Sequence, residues 1–73
     1  MQSFSVRPDW KSRGYRCRAR DWRHALDKAI MHWSRDKALN LYAFSTDTGF
    51  SRHPWGVRLE RAQQCVDIVR VAP

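Results

Sequence analysis

The chain is poor in the residues that would give 73 amino acids a covalent or catalytic identity. It holds two cysteines, Cys17 and Cys65, which allow at most one bridge. Their spacing matches neither a zinc-ligand pattern nor a Cys-x-x-Cys redox pair, and a disulfide requires their strands to be neighbours. Three glycines and three prolines, against 42% hydrophobic content, exclude a disordered basic tail. No internal repeat or low-complexity stretch is visible. No apolar run approaches the ~20 residues of a membrane span, and no apolar signal segment follows Met1. The expected setting is a soluble, reducing, cytoplasmic compartment with both thiols free.

Acidic residues are also scarce, seven against fourteen Lys and Arg, and they stand singly. They form no paired carboxylates, and neither a nucleophile elbow nor a glycine-rich phosphate loop is present. His24 and His32 lie two helical turns apart, too far to chelate one metal, and no acidic residue stands at a spacing that implicates His53. The expectation is a non-enzymatic chain without metal or cofactor.

What is present is size-limiting, aromatic and basic. A chain of this length makes one domain, residues 1–73, with a core barely large enough to hold it. Four tryptophans, three phenylalanines and two tyrosines supply the bulk. The net charge of +7 favours nucleic acid, an anionic membrane or an acidic protein surface as partner. Eleven of the fourteen cations are Arg, suited to bidentate phosphate contacts and to stacking on flat rings. The charge is concentrated in residues 7–37; residues 38–73 carry Arg52, Arg58, Arg61 and Arg70.

Periodicity gives the elements. Ser3–Arg7 alternates weakly before Pro8 and reads as an edge strand, where a proline costs least. Lys11–Gly14 is a turn, with Gly14 free to take positive φ. Tyr15–Arg20 alternates strictly, Tyr15, Cys17 and Ala19 on one face and Arg16, Arg18 and Arg20 on the other. Asp21 is a good helix N-cap. The stripe Trp22, Ala25, Leu26, Ala29, Ile30 and Trp33 marks a helix ending within 34–37, with a basic ridge of His24, Lys28, His32 and Arg35 opposite and Met31 exposed. Leu39–Ser45 alternates as a strand that turns Tyr42 and Phe44 outward, and 46–55 is a connection. Gly56–Arg61 and Cys65–Val71 are strands joined by a short hairpin, the last apolar on both sides and so central. The predicted fold is α+β, in ββαβββ order: one helix packed on a largely antiparallel four- to five-stranded sheet.

Arginines at 16, 18 and 20 recur at about 6.7 Å along a strand rising ~3.3 Å per residue. That spacing resembles the phosphate repeat of a nucleic-acid strand. With Tyr42 and Phe44 on the same outer face, the pattern pairs guanidinium groups with flat rings, as single-strand binders do. Pairing with Glu60 or Asp67 would instead consume the arginines. Lys28 and Arg35 extend the basic surface along the helix. In the loop Phe50–Trp55, Arg52 and Trp55 are candidates for an interface anchor.

Length, element order and the missing catalytic motifs together resemble small phage-encoded anti-CRISPR proteins acting on type I effector complexes. The resemblance implies a non-catalytic inhibitor that docks on an effector subunit, or on a similar nucleoprotein complex, and blocks or diverts its DNA binding. Many such inhibitors are acidic and imitate DNA. This chain is basic, so its partner would be an acidic protein surface, guide RNA or DNA held by the complex. The competing expectation is direct, sequence-tolerant DNA or RNA binding, with no membrane role. Oligomeric state does not follow from the sequence.

Overall fold

The computed structural model describes residues 1–35, 41–44 and 49–72. Five antiparallel strands and one helix follow the order ββαβββ: β1 Gln2–Pro8, β2 Tyr15–Ala19, α1 Trp22–His32, β3 Phe50–His53, β4 Gly56–Arg61 and β5 Gln64–Val71. A 3-10 turn, Leu41–Phe44, lies between α1 and β3. The sheet order is β2-β1-β5-β4-β3, so β5 is the middle strand, as its two-sided apolar character requires.

The helix forms where its periodic stripe and cap coincide. Asp21 is extended, and its Oδ1 accepts the His24 backbone N–H at 2.9 Å. Such a cap stabilises a helix by about 1 kcal/mol. Ala25, Leu26 and Ala29 are buried, and Trp22, Ile30 and Trp33 pack at the margin of the core. The helix ends at His32 with Trp33 as C-cap, earlier than the stripe suggested, because Trp33 leaves helical geometry at φ −100°, ψ 16°.

α1 lies over β2 and β1 and reaches β5, while the 3-10 turn packs against β4. Between these layers Phe4, Val6, Leu41, Leu59, Val66 and Ile68 are buried. Burial of each such side chain is worth about 1.5–3 kcal/mol. Among the described residues, the other face of the sheet carries no helix.

Four sequence expectations are corrected. β1 is an inner strand, between β2 and β5; Pro8 is tolerated because it closes the strand, not because the strand is an edge. The third strand is Phe50–His53, paired with β4, and not Leu39–Ser45. Within that expected strand, Leu41–Phe44 is a 3-10 turn, whose one-sided burial of Leu41 and Phe44 mimics alternation poorly but places both in the core; Leu39, Asn40 and Ser45 lie outside the described residues. Phe44 is 3% exposed and stacks on Trp10 at 5.7 Å, so it cannot face outward. Gly14 does not take positive φ. It is needed for space: a Cβ there would come within 2.8 Å of the Ser5 Oγ and Arg7 Cγ atoms.

Gly56, by contrast, adopts φ +149°, and a Cβ on it would sit 2.0 Å from the Ile68 carbonyl oxygen. The β3–β4 hairpin can close against β5 only without a side chain at this position.

Candidate nucleic-acid interface

Alternation of side chains divides the strands between two faces. Tyr15, Cys17 and Ala19 of β2 turn toward the core, and Arg16 and Arg18 turn outward and are exposed. On the open face Arg16 stands opposite Ser5, Ser5 opposite Val69, Val69 opposite Gly56, and Gly56 opposite His53. Arg18, Ser3 and Val71 form the adjacent row. A trough of small side chains therefore runs across the sheet from an arginine edge to an aromatic edge. Four strand spacings of ~4.8 Å make it about 19 Å long.

At the aromatic edge, the Trp55 ring stacks on His53 with centroids 4.6 Å apart and planes 5° apart. The Arg58 guanidinium lies 5.5 Å from the Trp55 centroid and forms a bidentate pair with Asp67, Nε to Oδ1 at 2.8 Å and an Nη to Oδ2 at 3.1 Å. Asp67, first by hydrogen bonding and then by its charge, holds the Arg58 pKa above its ordinary value. His53 Nε2 shares a hydrogen bond with Ser51 Oγ at 2.8 Å. Trp55 is thus half-buried and held by two partners of different strands.

The same pairing settles which arginines are uncommitted. Asp67 is taken by Arg58, and β5 is separated from β2 by β1. Neither Arg16 nor Arg18 has a carboxylate within ion-pair distance among the described residues. Arg7 lies along the same face, its Nε donating to Ser5 Oγ at 3.0 Å, which accounts for the burial of that hydroxyl on an otherwise open surface. Further along the strands the face turns acidic, with Asp9 and Glu60 around Cys65.

The expected site residues separate accordingly. Arg16, Arg18 and Trp55 share the open face. Arg20 is exposed just past the end of β2, where its backbone N–H donates to His24 Nδ1 at 3.1 Å. Lys28 does not stand on a free ridge: its Nζ donates to the Arg18 carbonyl at 2.7 Å. His32 stacks on Tyr15 at 4.2 Å. The ridge is therefore a flank of the helix stitched to β2, with Arg35 exposed beyond it. Tyr42 is 67% exposed but sits on the 3-10 turn, on the covered side of the sheet, and Phe44 is in the core. Arg52 lies on β3 facing the covered side, its guanidinium 5.6 Å from the Phe50 ring.

His53, Arg58 and Arg7 were not among the expected site residues. The signal for Arg58 lies in hairpin register: a two-residue turn at Ala62-Gln63 sets Arg61 opposite Gln64 and hence Arg58 opposite Asp67. The cysteines stand on opposite faces of strands that do not pair, and both are free. Burial raises the Cys17 thiol pKa; desolvation, then Glu60 and Asp9, raise that of Cys65. Among the described residues no three His, Cys, Asp or Glu side chains group as a metal site, and no helix is long and apolar enough to cross a membrane. No family model, curated protein or solved structure matches the chain.

Proposed function

We propose that the protein is a non-catalytic nucleic-acid-binding module that holds a single strand across its open sheet face. The observation that carries this reading is the pair of uncommitted arginines, Arg16 and Arg18, facing a braced Trp55 across a trough of serine, valine and glycine. Guanidinium groups neutralise phosphates, and the indole provides a stacking surface that accepts any base. Between the two ends the row holds serine, valine and glycine, with the Arg7 side chain over Ser5 as a further cation on the path. A rigid duplex meets such a flat face poorly, so single-stranded DNA or RNA is the preferred form.

The test is a salt titration of binding to single- and double-stranded oligonucleotides. Single strands should bind more tightly, with an affinity that falls steeply with salt; absence of binding to bare nucleic acid at low salt rejects the reading.

One observation favours a second reading, the phage-type inhibitor docking on a CRISPR effector or similar complex. Met31 is 77% exposed on the helix face turned away from the sheet. A flexible apolar side chain in that position suits an irregular protein surface. Co-purification with a type I effector, lost on Met31→Glu and retained on Arg16→Ala/Arg18→Ala, supports this alternative; loss only with the arginine variants returns the binding to the open face.

A further inference from the structure

A cleft on the covered side of the sheet meets the open face only at the β3–β4 hairpin, where His53 and Gly56 line it too. It lies beside the N-terminal end of α1, where the helix leaves part of β4 and β5 without cover, and encloses about 240 Å³. Buried Phe4, Val57 and Ile68 form its base, and Trp22 lines its helix side. Exposed Arg52, Arg70 and Asp21 surround the opening. The volume is slightly below the ~300–1,000 Å³ of drug-sized ligand sites, so it suits one small, flat ligand.

The polar groups are incompletely used. One Arg70 Nη donates to the Pro54 carbonyl, which fixes the arm against the β3–β4 turn and leaves other guanidinium donors available. Arg52 contacts the Phe50 ring, and neither arginine has a carboxylate partner among the described residues. They project from β3 and β5 on the same face of the sheet, two strand spacings apart across it and two residues apart along it, about 12 Å in backbone spacing, a gap that two long arms can close around one anion. Asp21 uses Oδ1 to cap the helix, so its second oxygen is available as an acceptor. The Trp22 ring is held in place by the Arg23 guanidinium, 4.5 Å from its centroid, and by Phe50, 5.0 Å away and tilted by 50°.

We propose that this cleft binds a nucleoside monophosphate, either free or as the phosphorylated end of a strand. The phosphate lies between Arg52 and Arg70, the base packs against Trp22 over the apolar base, and the second Asp21 oxygen accepts an N–H or hydroxyl of the ligand. A ligand with both parts is required: a bare anion leaves the apolar surface unfilled, and an uncharged nucleoside leaves the two guanidinium groups unmatched. The proposal rests on arginines other than those of the open-face interface, Arg52 and Arg70 in place of Arg16 and Arg18, although His53 and Gly56 border both sites.

The experiment is a titration of the isotopically labelled protein, followed by amide and indole N–H resonances, with adenosine 5′-monophosphate, adenosine and inorganic phosphate. The monophosphate should shift Asp21 to Arg23, Arg52, His53 and Arg70, and bind at least ten-fold more tightly than either fragment. Arg52→Ala should weaken it ten-fold or more, Arg52→Lys less, and Arg16→Ala/Arg18→Ala not at all, with thermal unfolding confirming that each variant is folded. Oligonucleotides with a 5′-phosphate or a 5′-hydroxyl separate the two sources: a ten-fold preference for the phosphate assigns the strand end, and no preference alongside tight monophosphate binding assigns the free nucleotide. Monophosphate binding no tighter than inorganic phosphate, shifts confined to β2, or an unaffected Arg52→Ala variant overturns the proposal. Failure here with retained salt-sensitive binding through Arg16 and Arg18 leaves the open-face reading intact.

Discussion

The two faces of the sheet are built from the same strands yet differ in almost every physical respect. On the covered face Phe4, Val6, Val66, Ile68 and Leu59 are buried beneath the helix and the 3-10 turn. One residue away in each strand, Ser3, Ser5, Val69, Val71 and Arg58 line a surface with charge, hydroxyls and one braced indole. Stability resides on the first face and candidate binding on the second. Because the side-chain period is two, neighbouring substitutions can probe the two separately.

The most severe way to break the distinction is at Gly56, where the hairpin meets β5. Gly56→Ala drives a Cβ into the Ile68 carbonyl and should cost more than about 3 kcal/mol, abolishing the cooperative thermal transition. Next, Ile68→Ala should cost about 2–5 kcal/mol in denaturant unfolding, whereas the outward neighbour change Val69→Ala should cost less than about 1 kcal/mol. Equal losses would show that the open face is packed in solution. Arg16→Ala/Arg18→Ala should alter stability by no more than about 0.5 kcal/mol, while reducing the slope of log affinity against log salt for a single strand by about 1.4.

The cysteines sample one face each. Both thiol pKa values are raised by the fold, so the folded state retains protons that the unfolded chain loses. Their contribution to stability is fully present below the ordinary thiol value and is lost as pH rises through the folded values. Denaturation midpoints should be level from neutral pH to about 8 and decline above about 9, a decline reduced in Cys17→Ala/Cys65→Ala. A modest gain belongs to Ala62, at φ +54° in the β4–β5 turn. Ala62→Gly should raise stability by about 0.5–1 kcal/mol, measured by the denaturation midpoint, without touching either face.

The helix, its cap and the arginine alternation of β2 were legible because each depends on local periodicity. Asp21 followed by Trp22, Ala25, Leu26 and Ala29 admits few other readings. The third strand was not: Leu39–Ser45 alternates as convincingly as any strand, while Phe50–His53 is four residues long, mostly exposed, and held chiefly by its pairing with β4. Sheet order is likewise non-local. Nothing in Gln2–Pro8 announces that β5 will return to its free side, and so Pro8 reads as an edge signal. The arginine pair was visible in the sequence, but not that Trp55 would fold back onto its face in place of Tyr42 and Phe44. That depends on register across four strands and on a glycine admitted to a space where no side chain fits.

The bond from Lys28 to the Arg18 carbonyl has a consequence for how the molecule behaves in a crowd. β2 is an edge strand, and its outward backbone groups are a template on which another chain could extend the sheet. Lys28 occupies one acceptor of that template, and His24 occupies the Arg20 donor beside it. The helix thus guards the border it flanks, and Arg16 and Arg18 add like charge against a second copy approaching in the same register. A small basic sheet keeps its open face accessible only if the sheet does not lengthen into a fibre, and at the β2 border the basic flank of the helix is the barrier.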